Sequence, residues 1–272
     1  MLYYAQRMRI IENLMKIKAI ITQFPVTFSV PDNVKIIETV LTQAEAGDLV
    51  IFPEGSVSGY ATDISFLKRI DQNEVMAGLD HLQKLACRRE INLWVGACTQ
   101  NNGSWYNAAY GFCPDGNTHI YHKINLARHE RGVFSAGNQL PVFELMSPSG
   151  KYLVGVQMCR ELRYPEQWGW MARCGAQIFL HLNNAVGDDT LQSVWKSHLV
   201  SRAAETQRFV LSANNASFKQ LCPTIAVAPD GQVVGEIVSP ESGVLRVDLD
   251  LSDTSSWYLD QCRSDVVVIK NS

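Results

Sequence analysis

The sequence predicts an α/β fold, a mixed β-sheet under helical cover. Short apolar runs alternate along the chain with amphipathic stretches of helical length. Asn-Gly and Asp-Gly pairs join some of those runs as hairpins. No stretch rich in Pro, Gly or Ser divides the chain. With 272 residues, 46% of them hydrophobic and 19% charged, the chain can bury a large core and is not a disordered polyelectrolyte.

Residues 1–15 read as an N-terminal extension, with Met15 as an alternative start, and 16–272 as a single domain. The first strand is KIKAIITQF from Lys16, followed by a helix from Asp32 to Ala46 opened by Pro31-Asp32. Strand DLVIFPE precedes a helix from about Asn73 to Arg89. Strands INLWVGACTQ, WYNAAYGFCP and THIYHKINL are joined by turns at Asn102-Gly103 and Asp115-Gly116. Past a loop, KYLVGVQMC is a buried strand leading to a helix near Pro165–Cys174. Strand AQIFLHLN and a helix over Thr190–Gln207 follow. Strands RFVLSANN, TIAVAP, GQVVGEIV and GVLRVDLDL complete the core, with Asp230-Gly231 turning between TIAVAP and GQVVGEIV.

Charge excludes one class of partner. Lys and Arg total 24 and Asp and Glu 27, a net charge of −3, so nothing favours nucleic acid. No apolar run approaches the ~20 residues that cross a bilayer, and no secretory leader is read at the N-terminus. The seven cysteines are scattered, without a CxxC pair. They are expected as reduced thiols in a cytoplasm, and no structural zinc site is expected. Neither a dinucleotide fingerprint nor a phosphate loop is present, so no cofactor is expected.

Three strand ends carry unusual polar residues. DLVIFPEG delivers Glu54, HIYHKINL delivers Lys123, and VGVQMCRELRYPE delivers Cys159. Strand ends of α/β sheets are where sites assemble. A carboxylate, an ammonium and a thiol suffice for nucleophilic acyl transfer: a base, an electrostatic stabiliser and a nucleophile. Singly, each has an ordinary reading, the Cys as a small buried hydrophobe, the Glu as a turn residue and the Lys as an edge charge. His119, His122 and His129 are also clustered, but i and i+3 fall on opposite faces of a regular strand, which argues against a metal site.

DLVIFPEGSVSGY, YHKINL and CRELRYPE occur in this order, and together they resemble the nitrilase, or carbon–nitrogen hydrolase, superfamily. The likeness continues through YNAAYGFCPDG, ERGVFSAG, SRAAETQRFVLSANN and APDGQVVGE, and spans roughly Lys16 to Leu251. It implies a four-layer α-β-β-α sandwich of two mixed β-sheets, with the Cys at a strand-to-helix elbow. It implies Glu54 as general base, Lys123 as electrostatic stabiliser, Cys159 as nucleophile and the Arg160 backbone N–H as oxyanion donor. Glu130, in ERGVFSAG, is the matching second glutamate, orienting substrate and tuning Lys123 and Cys159. A nearby Lys123 is expected to favour the thiolate.

The implied reaction is cleavage of a small amide to ammonia and a carboxylic acid through a thioester. The alternatives are a nitrilase, an N-carbamoyl hydrolase using the same three residues, and a catalytically silent binding protein. CRELRYPE lacks the Trp-Glu that follows the Cys in many nitrile-hydrolysing members, which favours the amidase branch. Asn183, Asn184 and Tyr60 are candidate pocket residues, as are Trp105, Tyr106 and His122. Arg163 either holds the elbow through ion pairs or meets an anionic substrate. Glu161, Glu166, Arg202 and Glu205 are expected to be structural. A homodimer or larger homo-oligomer is expected on the resemblance.

Overall fold

The computed structural model describes residues 15–187 and 192–263; of the expected extension over 1–15, all but Met15 lies outside them. Twelve strands form two six-stranded sheets among the described residues. The first sheet contains β1 (Lys16–Gln23), β2 (Leu49–Ile51), β3 (Asn92–Asn101), β4 (Ser104–Phe112), β5 (Thr118–His122) and β12 (Gly243–Asp250), in the order β12-β1-β2-β3-β4-β5. The second contains β6 (Val142–Ser147), β7 (Gly150–Met158), β8 (Ile178–Leu182), β9 (Phe209–Ala213), β10 (Thr224–Val227) and β11 (Val233–Ile237), in the order β11-β10-β9-β8-β7-β6. Each sheet has a parallel trio, β1-β2-β3 or β7-β8-β9, flanked by antiparallel strands.

Strand parity builds the layers. Ile17, Ala19 and Ile21 of β1 share one core with Val154, Val156 and Met158 of β7 and Ile178, Leu180 and Leu182 of β8, so this core lies between the sheets. Ile20, Val50 and Leu93 face the other way, against α1 (Val30–Leu41) and α2 (Gln72–Arg89). Phe179 and Val210 pack beneath α3 (Pro165–Arg173) and α4 (Gln192–Thr206). The order is helices, sheet, sheet, helices: the expected four-layer sandwich. Among the described residues no helix is long and apolar enough to cross a membrane.

Several boundaries differ from expectation. The first helix opens two residues early, because Ser29 rather than Asp32 is the N-cap and its side chain accepts the Asp32 N–H. It ends at Leu41 rather than Ala46, since the chain turns through Gly47, at φ +88°, into β2. Of DLVIFPE only three residues pair as strand, because Phe52 to Tyr60 leave the sheet as a stapled loop. The loop before KYLVGVQMC contains a missed strand, β6, whose Phe143 and Leu145 point inward.

Candidate active site

Glu54 stands just past the end of β2, and its backbone is held from both sheets. The Phe52 N–H donates to the Trp94 carbonyl of β3 at 2.9 Å, and the Glu54 N–H donates to the Asn183 carbonyl beyond β8 at 3.2 Å. Val57 N–H reaches the Gly96 carbonyl at 2.9 Å, and Ser56 and Ser58 hydroxyls accept the Gly96 and Cys98 N–H groups. A Cβ on Gly96 would lie 2.5 Å from the Gly55 nitrogen and 2.8 Å from the Glu54 Cα. The glycine therefore lets β3 pass directly behind the carboxylate.

Lys123 follows β5, with its N–H on the Asn107 carbonyl and its carbonyl on the Gly137 N–H, both at 2.9 Å. Its ammonium donates to Oε1 of Glu54 at 2.9 Å and to Oε1 of Glu130 at 3.0 Å. Two of its three N–H donors are thereby used. Asn107 Nδ2 donates to the same two oxygens, at 2.7 and 2.9 Å. Glu130 also accepts from the Tyr60 hydroxyl at 2.7 Å and, through Oε2, from the Ala127 N–H. Because the Tyr60 proton is committed to Glu130, the His129 Nε2–H donates to the Tyr60 oxygen at 3.0 Å. Glu54, Lys123 and Glu130 are fully buried. Glu54 Oε2 is buried without a hydrogen-bond partner among the described residues.

These contacts push the two carboxyls apart. Burial raises the proton affinity of Glu54 beyond what Lys123 and its hydrogen bonds offset, so its pKa lies above the usual carboxylate range. Burial acts the same way on Glu130, but there Lys123, the Ala127 N–H, Asn107 and Tyr60 win, and its pKa falls below that range. Burial alone would lower the Lys123 pKa; the acidic groups around it, Glu54 foremost, outweigh it and keep the ammonium charged. Glu130 is the standing anion, and Glu54 is the carboxyl suited to exchanging a proton.

Cys159 sits where β7 ends and a short 3-10 helix, Cys159–Arg163, begins. Its φ of +49° is left-handed, a costly conformation for a residue with a side chain. Glu161 grips the elbow from inside. One oxygen accepts the Met158 N–H at 2.8 Å, and the other accepts the Ile124 and Asn125 N–H groups at 2.9 and 2.8 Å. The Tyr121 hydroxyl lies 2.9 Å from both. This one carboxylate ties the segment after Lys123 to the segment carrying Cys159. On the far side, the Cys159 carbonyl accepts from His181 Nε2 at 2.8 Å.

The thiol feels Glu54, Lys123 and Glu130 together, and the Arg160 N–H faces its sulfur. Lys123 does favour the thiolate, as expected, but it is outweighed. Burial, then the Glu54 charge, raises the thiol pKa above its ordinary value, and Lys123 and the Arg160 N–H offset only part of this. The resting sulfur is a protonated thiol that needs a base.

Asn184 is a brace rather than a free pocket group: its Nδ2 donates to the Glu54 carbonyl at 3.3 Å and its Oδ1 accepts from Asn215 at 2.9 Å. Asn183 is buried and presents its carbonyl to Glu54. Tyr106 stacks on His122 with centroids 4.3 Å apart, whereas His119 stacks on Trp94. Arg163 lies over the Trp195 ring at 5.6 Å, and no ion pair of Arg163 is found among the described residues. Arg202 is buried, donating to the Leu162 carbonyl at 2.9 Å and to Glu205. Glu166 is exposed. Sequence reasoning missed Asn107, Tyr121, His181 and Ser212. Asn107, His181 and Ser212 are lone polar residues inside otherwise apolar strand runs, and that interruption was the available signal.

Comparison with known proteins agrees with this architecture. A family model described as Carbon-nitrogen hydrolase matches residues 7–259. "Hydrolase in agr operon" of Staphylococcus aureus is 28% identical over 270 residues, covering 93% of this chain and 97% of its own. The 2-oxoglutaramate amidase of Bacillus subtilis is 25% identical over 243 residues, covering 86% of this chain and 90% of its own. Among solved structures, a mutant of the amidase from Nesterenkonia sp. AN1 matches with a TM-score of 0.77 at 25% identity, over 93% of this chain and 95% of its own. That structure shows covalent addition of the acetamide moiety of fluoroacetamide at its active site cysteine.

Proposed function

The chain belongs to the carbon–nitrogen hydrolase family, the nitrilase superfamily, and we propose that it cleaves the C–N bond of a small linear amide to ammonia and a carboxylic acid, through a thioester on Cys159. One observation carries this reading. Glu54 has one oxygen fixed by Lys123 and Asn107 and the other unpartnered, at a site where a protonated thiol needs a base. The amidases among its relatives support the substrate class, and the cysteine adduct in the Nesterenkonia amidase supports the covalent step.

In this mechanism Glu54 Oε2 takes the Cys159 proton as the sulfur bonds to the amide carbon. The oxyanion accepts from the third Lys123 N–H and from the Arg160 N–H. Glu54 passes its proton to the nitrogen, the C–N bond breaks, and ammonia leaves. Glu54 then deprotonates water, whose oxygen attacks the thioester. The C–S bond breaks, the sulfur recovers its proton from Glu54, and the acid departs. Glu130 stays ionised throughout, holding Lys123 in place.

The same reading includes a single hydrolase domain over 16–272, working in the cytoplasm as a homodimer or larger homo-oligomer. The test is ammonia release from a panel of small amides, ω-amides, nitriles and N-carbamoyl compounds. Amides, but not nitriles, are expected to turn over. Preferential nitrile turnover, or carbon dioxide released with the ammonia, would replace this reading with a nitrilase or an N-carbamoyl hydrolase.

A further inference from the structure

His181 lies in the middle of three parallel strands, paired in register with Gln157 of β7 on one side and Ser212 of β9 on the other. Histidine and serine are both fully buried in strands that are otherwise apolar. Their hydrogen bonds have only one consistent assignment. The Cys159 carbonyl can only accept, so His181 Nε2 carries the proton that reaches it across 2.8 Å. Burial lowers the ring's pKa to about 4, so the imidazole is neutral and Nδ1 is an acceptor. The Ser212 hydroxyl, 2.8 Å away, therefore donates to Nδ1 and sets the tautomer.

The Cys159 carbonyl shares a rigid, planar peptide unit with the Arg160 N–H, and in a trans unit the two point in opposite directions. Holding one end of that lever aims the other. We infer that His181 is a positioning residue: by gripping the Cys159 carbonyl it directs the Arg160 N–H at the substrate oxygen. This rests on the reading of that N–H as an oxyanion donor. The lever needs the grip because the chain bends sharply here, at a left-handed Cys159, and any rotation of this peptide swings the N–H off target. Glu161 already anchors the end of β7 through the Met158 N–H, in the Gln157–Met158 peptide. His181 fixes the one that matters for charge.

Substitution at His181 separates aiming from folding. His181→Phe removes the donor and keeps a ring, His181→Gln keeps an N–H donor, and Ser212→Ala frees the tautomer. Each is assayed for amide hydrolysis and for alkylation of Cys159 by iodoacetamide, a displacement that builds no oxyanion. His181→Phe is expected to lower kcat about 10- to 100-fold, as misplacement of a catalytic group does. KM and the alkylation rate should stay within about threefold, and His181→Gln should restore most of kcat. An unchanged kcat in His181→Phe overturns the inference, as does an alkylation rate that falls as far as kcat. Should His181→Phe not fold, Ser212→Ala decides: a severalfold loss of kcat at constant alkylation supports the lever, and no loss overturns it. If alkylated wild-type protein still hydrolyses amides, the thiol mechanism itself fails, whatever His181 does.

Discussion

The carboxylate cluster and the cysteine elbow meet at one site but are built by opposite means. Around Lys123 the order resides in side chains: one ammonium, two carboxylates, an amide and a phenol, all buried. Around Cys159 it resides in the backbone, a left-handed residue whose carbonyl is held by His181 and whose strand end is held by Glu161 at the Met158 N–H. Electrostatics is concentrated where side chains pair, and geometric strain where the main chain bends. The proposed reaction needs both, because a charged cluster without an aimed thiol and N–H can bind but not transfer.

Breaking the cluster should have the largest effect. Lys123→Ala removes the cation proposed to meet the oxyanion and leaves Glu54 and Glu130 facing each other in a buried space. Turnover should fall by at least on the order of 10²–10³, and stability by about 3–5 kcal/mol, read by steady-state kinetics and urea unfolding. Near-normal kcat would remove Lys123 from the chemistry.

Breaking the elbow comes next. Glu161→Ala orphans the Met158, Ile124 and Asn125 N–H groups at once. Stability should drop by about 3 kcal/mol, at a buried-group cost of ~1–3 kcal/mol each with partial relaxation. Cys159 alkylation should change with it, since Glu161 links the two regions. A Tm within experimental error of wild type would show that the elbow holds itself.

The strands, hairpin turns and the clustered residues Glu54, Lys123 and Cys159 were legible because each leaves a local mark: alternating apolar runs, Asn-Gly and Asp-Gly pairs, polar residues at strand ends. The clamps left only faint marks. Glu161 was seen as loop support, yet its task of joining Lys123's segment to Cys159's depends on Tyr121, 40 residues away in sequence. His181 acts on a carbonyl 22 positions earlier, and only the parallel pairing of β7, β8 and β9 brings it there. The thiol's net proton affinity was not legible, for a related reason. An adjacent cation is visible in a motif, whereas desolvation of the sulfur and the Glu54 charge beside it are properties of the assembled sandwich.

Acid sharpens the contrast. The folded pKa of His181 is lowered to about 4 from 6.5. Between those values the unfolded chain binds the extra proton, so this residue's contribution is intact above pH 6.5 and is lost as pH falls toward 4. The shift of about 2.5 units corresponds to at most about 3 kcal/mol. His181→Gln should flatten the pH dependence of unfolding free energy between pH 6.5 and 4 relative to wild type; an identical slope would contradict a neutral buried imidazole.

Tyr60→Phe is the mildest perturbation. Glu130 loses one donor but keeps Lys123, Asn107 and the Ala127 N–H. A cost of about 1–2 kcal/mol in stability is expected, with a severalfold fall in kcat.

The central claim is that a single sulfur carries the acyl group. Intact-mass spectrometry of protein quenched during turnover of a small amide, followed by peptide mapping, tests it directly. The account predicts a mass gain equal to that acyl group, localised to Cys159, and no adduct or turnover in Cys159→Ala. Amide hydrolysis at an undiminished rate by Cys159→Ala would contradict it.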